Sequence, residues 1–123
     1  MMGTMAERNL ELMRGTLDVM ILKAVSWGPV HGYGVASWIQ TTTGEALKIE
    51  EGSLYPALHR LEHKGWVRSE WGLSEKKRHA KYYVLTPEGR RALKTESNTF
   101  ERITAAVSSV LSAAEGPKLL TEG

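Results

Sequence analysis

The hydrophobic pattern changes its period along the chain, from about 3.6 residues to 2 and back to 3.6, and this limits the fold more than any other feature. Helical spacing holds to about residue 65, alternation runs over 66–85, and helical spacing returns from residue 86. A sandwich or barrel needs many strands and a doubly wound fold needs alternating strands and helices, so neither fits. From Leu10 the apolar residues fall at Leu10, Met13, Leu17, Met20, Ile21 and Ala24, one face of a helix. Trp27-Gly28-Pro29 ends that helix. A second helix is expected from Gly32 or Tyr33 through Ile39, stopped by Thr41–Thr43 and Gly44, with Gly32-Tyr33-Gly34 as the turn into it. Ala46–Ile49 reads as a short strand.

Ser53 is the expected N-cap of a third helix, with Pro56 in its first turn, where a missing N–H does no harm. Leu54, Ala57, Leu58 and Leu61 give its buried stripe, and Gly65 its stop. Trp66–Trp71 and Lys81–Leu85 read as two strands joined by the polar loop Gly72–Ala80. Thr86-Pro87-Glu88 combines a hydroxyl cap, a proline at the first position and a carboxylate at the positive dipole end. It opens a helix reaching about Ala113, before Gly116-Pro117.

This order predicts a mainly α fold with a small β-wing: a winged helix-turn-helix domain plus a long C-terminal dimerisation helix. The domain is expected over residues 8–85, the dimerisation helix over 86–113 and a flexible tail over 114–123.

Charge supports a polyanion as the partner. The whole chain is only +2, but residues 59–91 carry nine basic and four acidic side chains, while the flanking segments are net acidic. With Leu54, Leu58 and Leu61 turned inward, the third helix is left with Ser53, Tyr55, Pro56, His59, Arg60 and Lys64 facing outward or sideways. Short polar groups and one or two long donors are what a major-groove helix needs. Arg60 suits either a guanine edge or a phosphate. Lys76, Lys77, Arg78 and Lys81 put four cations within six residues of a hairpin tip, an electrostatic arm for phosphates or the minor groove.

The last helix repeats Leu93, Phe100 and Val107 at seven-residue intervals, with Ile103 and Val110 between them and Glu96 interrupting. Packed with Leu10, Met13 and Leu17 of the first helix, this seam predicts a two-fold homodimer that presents two recognition helices about one DNA turn apart. Trp38 and Trp66 are assigned to the core, while Trp27 and Trp71 are left open between core and aromatic cleft.

Other chemistry has little support. The chain has no cysteine, which excludes disulfides, thiolate metal sites and cysteine nucleophiles. His59 and His63 share a helix face but lack a third ligand, so no metal is expected. No nucleophile elbow or phosphate loop is present, so no catalytic residue is assigned and the chain is expected not to be an enzyme. No cofactor is expected, and no apolar run approaches a membrane span, so a cytoplasmic location without membrane contact is expected.

The same residues carry a family resemblance over about residues 10–112. Arg14-Gly15-Thr16-Leu17-Asp18 through Ile21-Leu22, then Gly28-Pro29-Val30-His31-Gly32-Tyr33-Gly34, resemble the opening of PadR-type transcriptional regulators. So do Glu51 through Glu62 with Lys64-Gly65, including the specific block Leu54-Tyr55-Pro56-Ala57-Leu58, and Arg78–Tyr83 followed by Leu85–Gly89. The resemblance implies a dimeric winged-helix repressor of the short subclass, binding a palindromic operator in double-stranded DNA and released by a small ligand. It places Ser53, Tyr55, Pro56, His59 and Arg60 on the DNA-reading helix. It also puts Tyr33 at a phosphate and lines the wing with Lys76, Lys77, Arg78 and Lys81. Effectors in such a family include phenolic acids and multidrug-type aromatics, which leaves an aromatic effector of unknown identity. The competing expectation is a winged helix used as a protein-interaction or dimerisation module without specific DNA binding.

Overall fold

Helix α1 (Met5–Val25) is the floor on which the other elements rest. The computed structural model describes residues 5–73 and 75–119, and side chains from residue 15 onward. Leu17, Ile21, Leu22, Ala24 and Val25 are buried, so the apolar spacing of α1 becomes a core face. After it come β1 (Val30–His31), α2 (Gly32–Thr42), α3 (Glu51–His63), β2 (Val67–Leu73), β3 (His79–Leu85) and α4 (Pro87–Leu111). The core joins the α1 face to Val35 and Ile39 of α2, to Leu54, Ala57, Leu58 and Leu61 of α3, and to Val67, Tyr83 and Leu85 of the sheet. None of the described helices is long and apolar enough to cross a membrane.

The short strand lies elsewhere than expected. Ala46–Ile49 form no strand; Val30 and His31 do, pairing with Tyr83 and Tyr82 on the free edge of β3. The sheet order is therefore β1-β3-β2, all antiparallel. The hairpin is also longer than expected, since Leu73 pairs with His79 and Gly72 with Ala80, with the described residues 75–78 in the turn.

The start of α3 differs from the sequence reading as well. The first intrahelical bonds of α3 run from the N–H groups of Ser53 and Leu54 to the carbonyl of Glu50, so Glu50 is its extended N-cap and Ser53 lies inside the helix. Pro56 thus falls in the second turn. Helix α2 starts at Gly32, within the expected range, with Gly32-Tyr33-Gly34 as its first turn; it is capped by His31, whose Nδ1 accepts from the Gly34 N–H at 2.9 Å.

Helix α4 starts as its sequence predicts. Thr86 is the N-cap: its Oγ1 accepts from the Gly89 N–H at 2.9 Å and lies 2.6 Å from the Gly65 carbonyl and 3.1 Å from that of Trp66. A Cβ at Gly89 would stand 1.9 Å from the Trp66 carbonyl oxygen, so only glycine lets α4 leave the sheet this closely. From there α4 packs on α1 and β3.

Candidate nucleic-acid interface

Burial of Leu54, Ala57, Leu58 and Leu61 orients α3, leaving Gly52, Tyr55, Pro56, His59 and His63 exposed and Ser53 half-buried. Tyr55 has a second task. Its ring packs so closely on Gly32 that a Cβ there would meet it at 2.9 Å, which fixes the angle between α2 and α3. Tyr33, in the first turn of α2, is 74% exposed and stacks on the His31 imidazole at 6.1 Å between ring centres. The sequence-predicted residues Tyr33, Ser53, Tyr55, Pro56 and His59 thus lie on the helix-turn-helix formed by α2 and α3, with Ser53 set deepest.

Arg60 is turned toward the protein. Its guanidinium Nη2 donates to Asp18 Oδ1 of α1 at 2.8 Å, and its Nε is buried without a hydrogen-bond partner. Asp18 enters the sequence reading only within the family motif, although a further signal was available: it interrupts the apolar run Leu17–Leu22, next to the buried Leu17. A carboxylate in such a place needs a cation close by.

The cations of the recognition helix and the wing differ in their surroundings. Lys81 lies 3.9 Å from Glu62 and over the Tyr83 ring, and Glu62 also accepts from the Ser69 hydroxyl at 2.7 Å. This cluster joins α3 to the hairpin. Lys64 sits over the Trp66 ring, 4.5 Å from its centre. Lys76, Lys77 and Arg78 are exposed at the turn, where Lys77 adopts a left-handed φ of 57°. Among the described residues, no three His, Cys, Asp or Glu side chains come together, and His59 and His63 remain an exposed pair.

The expected dimer residues also divide. Leu17 is buried in the core of its own chain, and Leu93 is half-buried against that core, so Leu17 is not available to a partner. The reason is that α1 is covered by its own neighbours. Phe100, Ile103, Val107 and Val110 are all exposed, Val110 at 75%. The side chains of Leu10 and Met13 lie outside the described residues. Trp38 departs from its expected core position: partly exposed, it lines an apolar cleft of about 380 Å³ with Trp27, Pro29 and Val30. Trp66 does pack against the core.

Comparison with known proteins agrees with this geometry. Residues 21–95 match the model of the transcriptional regulator PadR-like family. The chain is 32% identical over 98 residues to a transcriptional regulator of Mycobacterium tuberculosis, covering 79% of this chain and 87% of that protein. A solved transcriptional regulator from Clostridium thermocellum superposes with a TM-score of 0.73 at 32% identity, covering 80% of this chain and 96% of that one. An uncharacterized transposon protein of Streptomyces fradiae is 38% identical over 90 residues, 73% of this chain but only 24% of that protein, so the chain spans about a quarter of its length.

Proposed function

Because the chain belongs to the PadR-like family of transcriptional regulators, we propose that it is a homodimeric repressor. It binds a palindromic operator in double-stranded DNA and responds to a small aromatic effector. The observation that carries this reading is the exposure of polar and aromatic residues on the helix-turn-helix together with that of the basic wing turn. Tyr33, Tyr55 and His59 are exposed on α2 and α3, and α3 is joined through Glu62 to a hairpin whose turn holds the exposed Lys76, Lys77 and Arg78. An α-helix fills the major groove while an adjacent basic hairpin reaches backbone phosphates. In this reading Tyr33 meets a phosphate, and Tyr55 and His59 meet base edges. Arg60 acts as a strut holding the recognition helix to α1, since Asp18 already occupies its guanidinium.

The homodimer rests on the stripe Phe100, Ile103, Val107 and Val110, which one chain leaves uncovered. Pairing it about a two-fold axis buries apolar area and duplicates the reading head. The cleft beside Trp27 and Trp38, at about 380 Å³, has the size and apolar lining that suit a small aromatic molecule.

The test is fluorescence anisotropy on a labelled duplex of the chain's own upstream DNA at two salt concentrations, with sedimentation of the free protein alongside. Tight binding that falls steeply with salt and survives competitor DNA, from a dimer, supports the reading. Weak binding that competitor removes overturns it in favour of a protein-interaction module.

A further inference from the structure

The wing carries two large apolar side chains with open space around them. Trp71 is 70% exposed and Leu73 63%, both on β2. Alternate residues of a strand share a face, so Val67, Ser69, Trp71 and Leu73 form one row. The register sets them opposite Leu85, Tyr83, Lys81 and His79 of β3. This face changes character along its length. At its root Val67, Leu85 and Tyr83 belong to the core, and in the middle Ser69 and Lys81 meet Glu62 of α3. Beyond α3 it ends as Trp71 and Leu73, bordered by Lys81 and His79, with Lys76 and Lys77 in the adjoining turn.

Basic side chains outnumber acidic ones near the outer end of this strip. Glu70 alternates onto the opposite face, where Arg68 holds it at 2.8 Å, and Glu75 shares the turn with Lys76 and Lys77. Among the described residues, the outer half of the strip's own face therefore contributes no carboxylate, and its lysine, Lys81, lies 3.9 Å from Glu62 of α3. An indole beside a turn that carries Lys76 and Lys77 fits a partner that is apolar inside and anionic along its edges. Duplex DNA is such a partner, with stacked bases between two rows of phosphates, and apolar wedges beside basic residues are a recurrent means of kinking it.

We propose that Trp71, backed by Leu73, enters the minor groove next to the segment read by α3 and wedges against a base step. The wedge bends the duplex while Lys76 and Lys77 neutralise the flanking phosphates. This inference rests on the DNA-binding reading above. It adds a specificity term that needs no base-edge hydrogen bond, because pyrimidine–purine steps open most easily and a wedge selects them.

The experiment combines anisotropy with end-to-end energy transfer on a labelled duplex cut from the chain's own upstream DNA. Trp71→Ala is expected to lose about tenfold in affinity and most of the bend. The slope of log affinity against log salt stays as in the parent, because no charge is removed. Trp71→Phe retains part of both, and Leu73→Ser loses a smaller share of the bend. Lys76→Ala does the reverse, lowering the slope and keeping the bend. Because Trp71 and Leu73 are exposed, both variants are expected to melt with the parent, so the loss reads as lost contact. Parent-like bending and affinity in Trp71→Ala and Leu73→Ser overturn the wedge and leave the regulator standing. A parent that binds no duplex at low salt overturns both.

Discussion

Helices α1 and α4 both carry apolar residues at helical spacing, yet Leu17, Ile21, Leu22 and Val25 of α1 are almost wholly buried while Phe100, Ile103, Val107 and Val110 of α4 stand in solvent. The difference lies in what surrounds each helix. Helix α1 is packed by α2, α3, β3 and the start of α4. Helix α4 runs for 25 residues, about 37 Å at 1.5 Å per residue, and beyond Leu93 it outruns the domain that could cover it. Spacing shows that a helix has an apolar face, and only the neighbours decide whether the same chain hides it. One face therefore stabilises a fold, and the other is available to an assembly.

That contrast breaks most sharply in the core. Leu58→Ala removes a side chain with no exposure and should cost about 3 kcal/mol, seen as a fall in melting temperature that does not depend on protein concentration. Gly89→Ala probes the junction where α4 leaves the covered region. In an ordinary helix the change gains about 1 kcal/mol. Here the new Cβ meets the Trp66 carbonyl, and the expected result is a loss of about 2 to 3 kcal/mol in denaturant titration. A gain would mean that the close approach of α4 to the sheet is soft.

Arg60→Ala tests the polar strut between α1 and α3. It strands the Asp18 carboxylate, whose side chain is only 14% exposed, and should cost about 2 kcal/mol, less than a fully buried pair because Arg60 itself reaches solvent. Adding Asp18→Ala should restore part of that loss in a double-mutant cycle. The smallest effect on the fold belongs to the exposed stripe. Ile103→Ser with Val107→Ser should leave the stability of the single chain within about 0.5 kcal/mol. The same pair should weaken self-association by at least about tenfold in sedimentation. If the double variant unfolds the chain instead, the stripe is part of the core and the contrast between the two helices fails.

Local signals were legible in the sequence. The Thr86-Pro87-Glu88 start, the buried stripe of α3 and the change of period into the hairpin all stand as read. What was not legible depended on distant partners. Val30 and His31 are too short to announce a strand, and they become one only because β3, some fifty residues on, offers a free edge. Leu17 and Phe100 carry equivalent sequence signals, and nothing local shows which will be covered. Arg60 looks like an outward donor until Asp18, 42 residues away, takes its guanidinium. Glu62 looked like ordinary helix surface, yet it joins α3 to the wing through Ser69 and Lys81.

The knot at Thr86 has a mechanical consequence. One hydroxyl and one amide tie the end of α3, the root of β2 and the first turn of α4 within about one residue's reach. Such a junction behaves as a weld rather than a hinge. In the proposed dimer, each degree of change in the tilt of an α4 helix moves the far end of its roughly 37 Å arm by about 0.6 Å. Since the weld absorbs none of that rotation, a small molecule that tilts the two arms by ten degrees would misplace the reading heads by about 6 Å, nearly two base-pair steps.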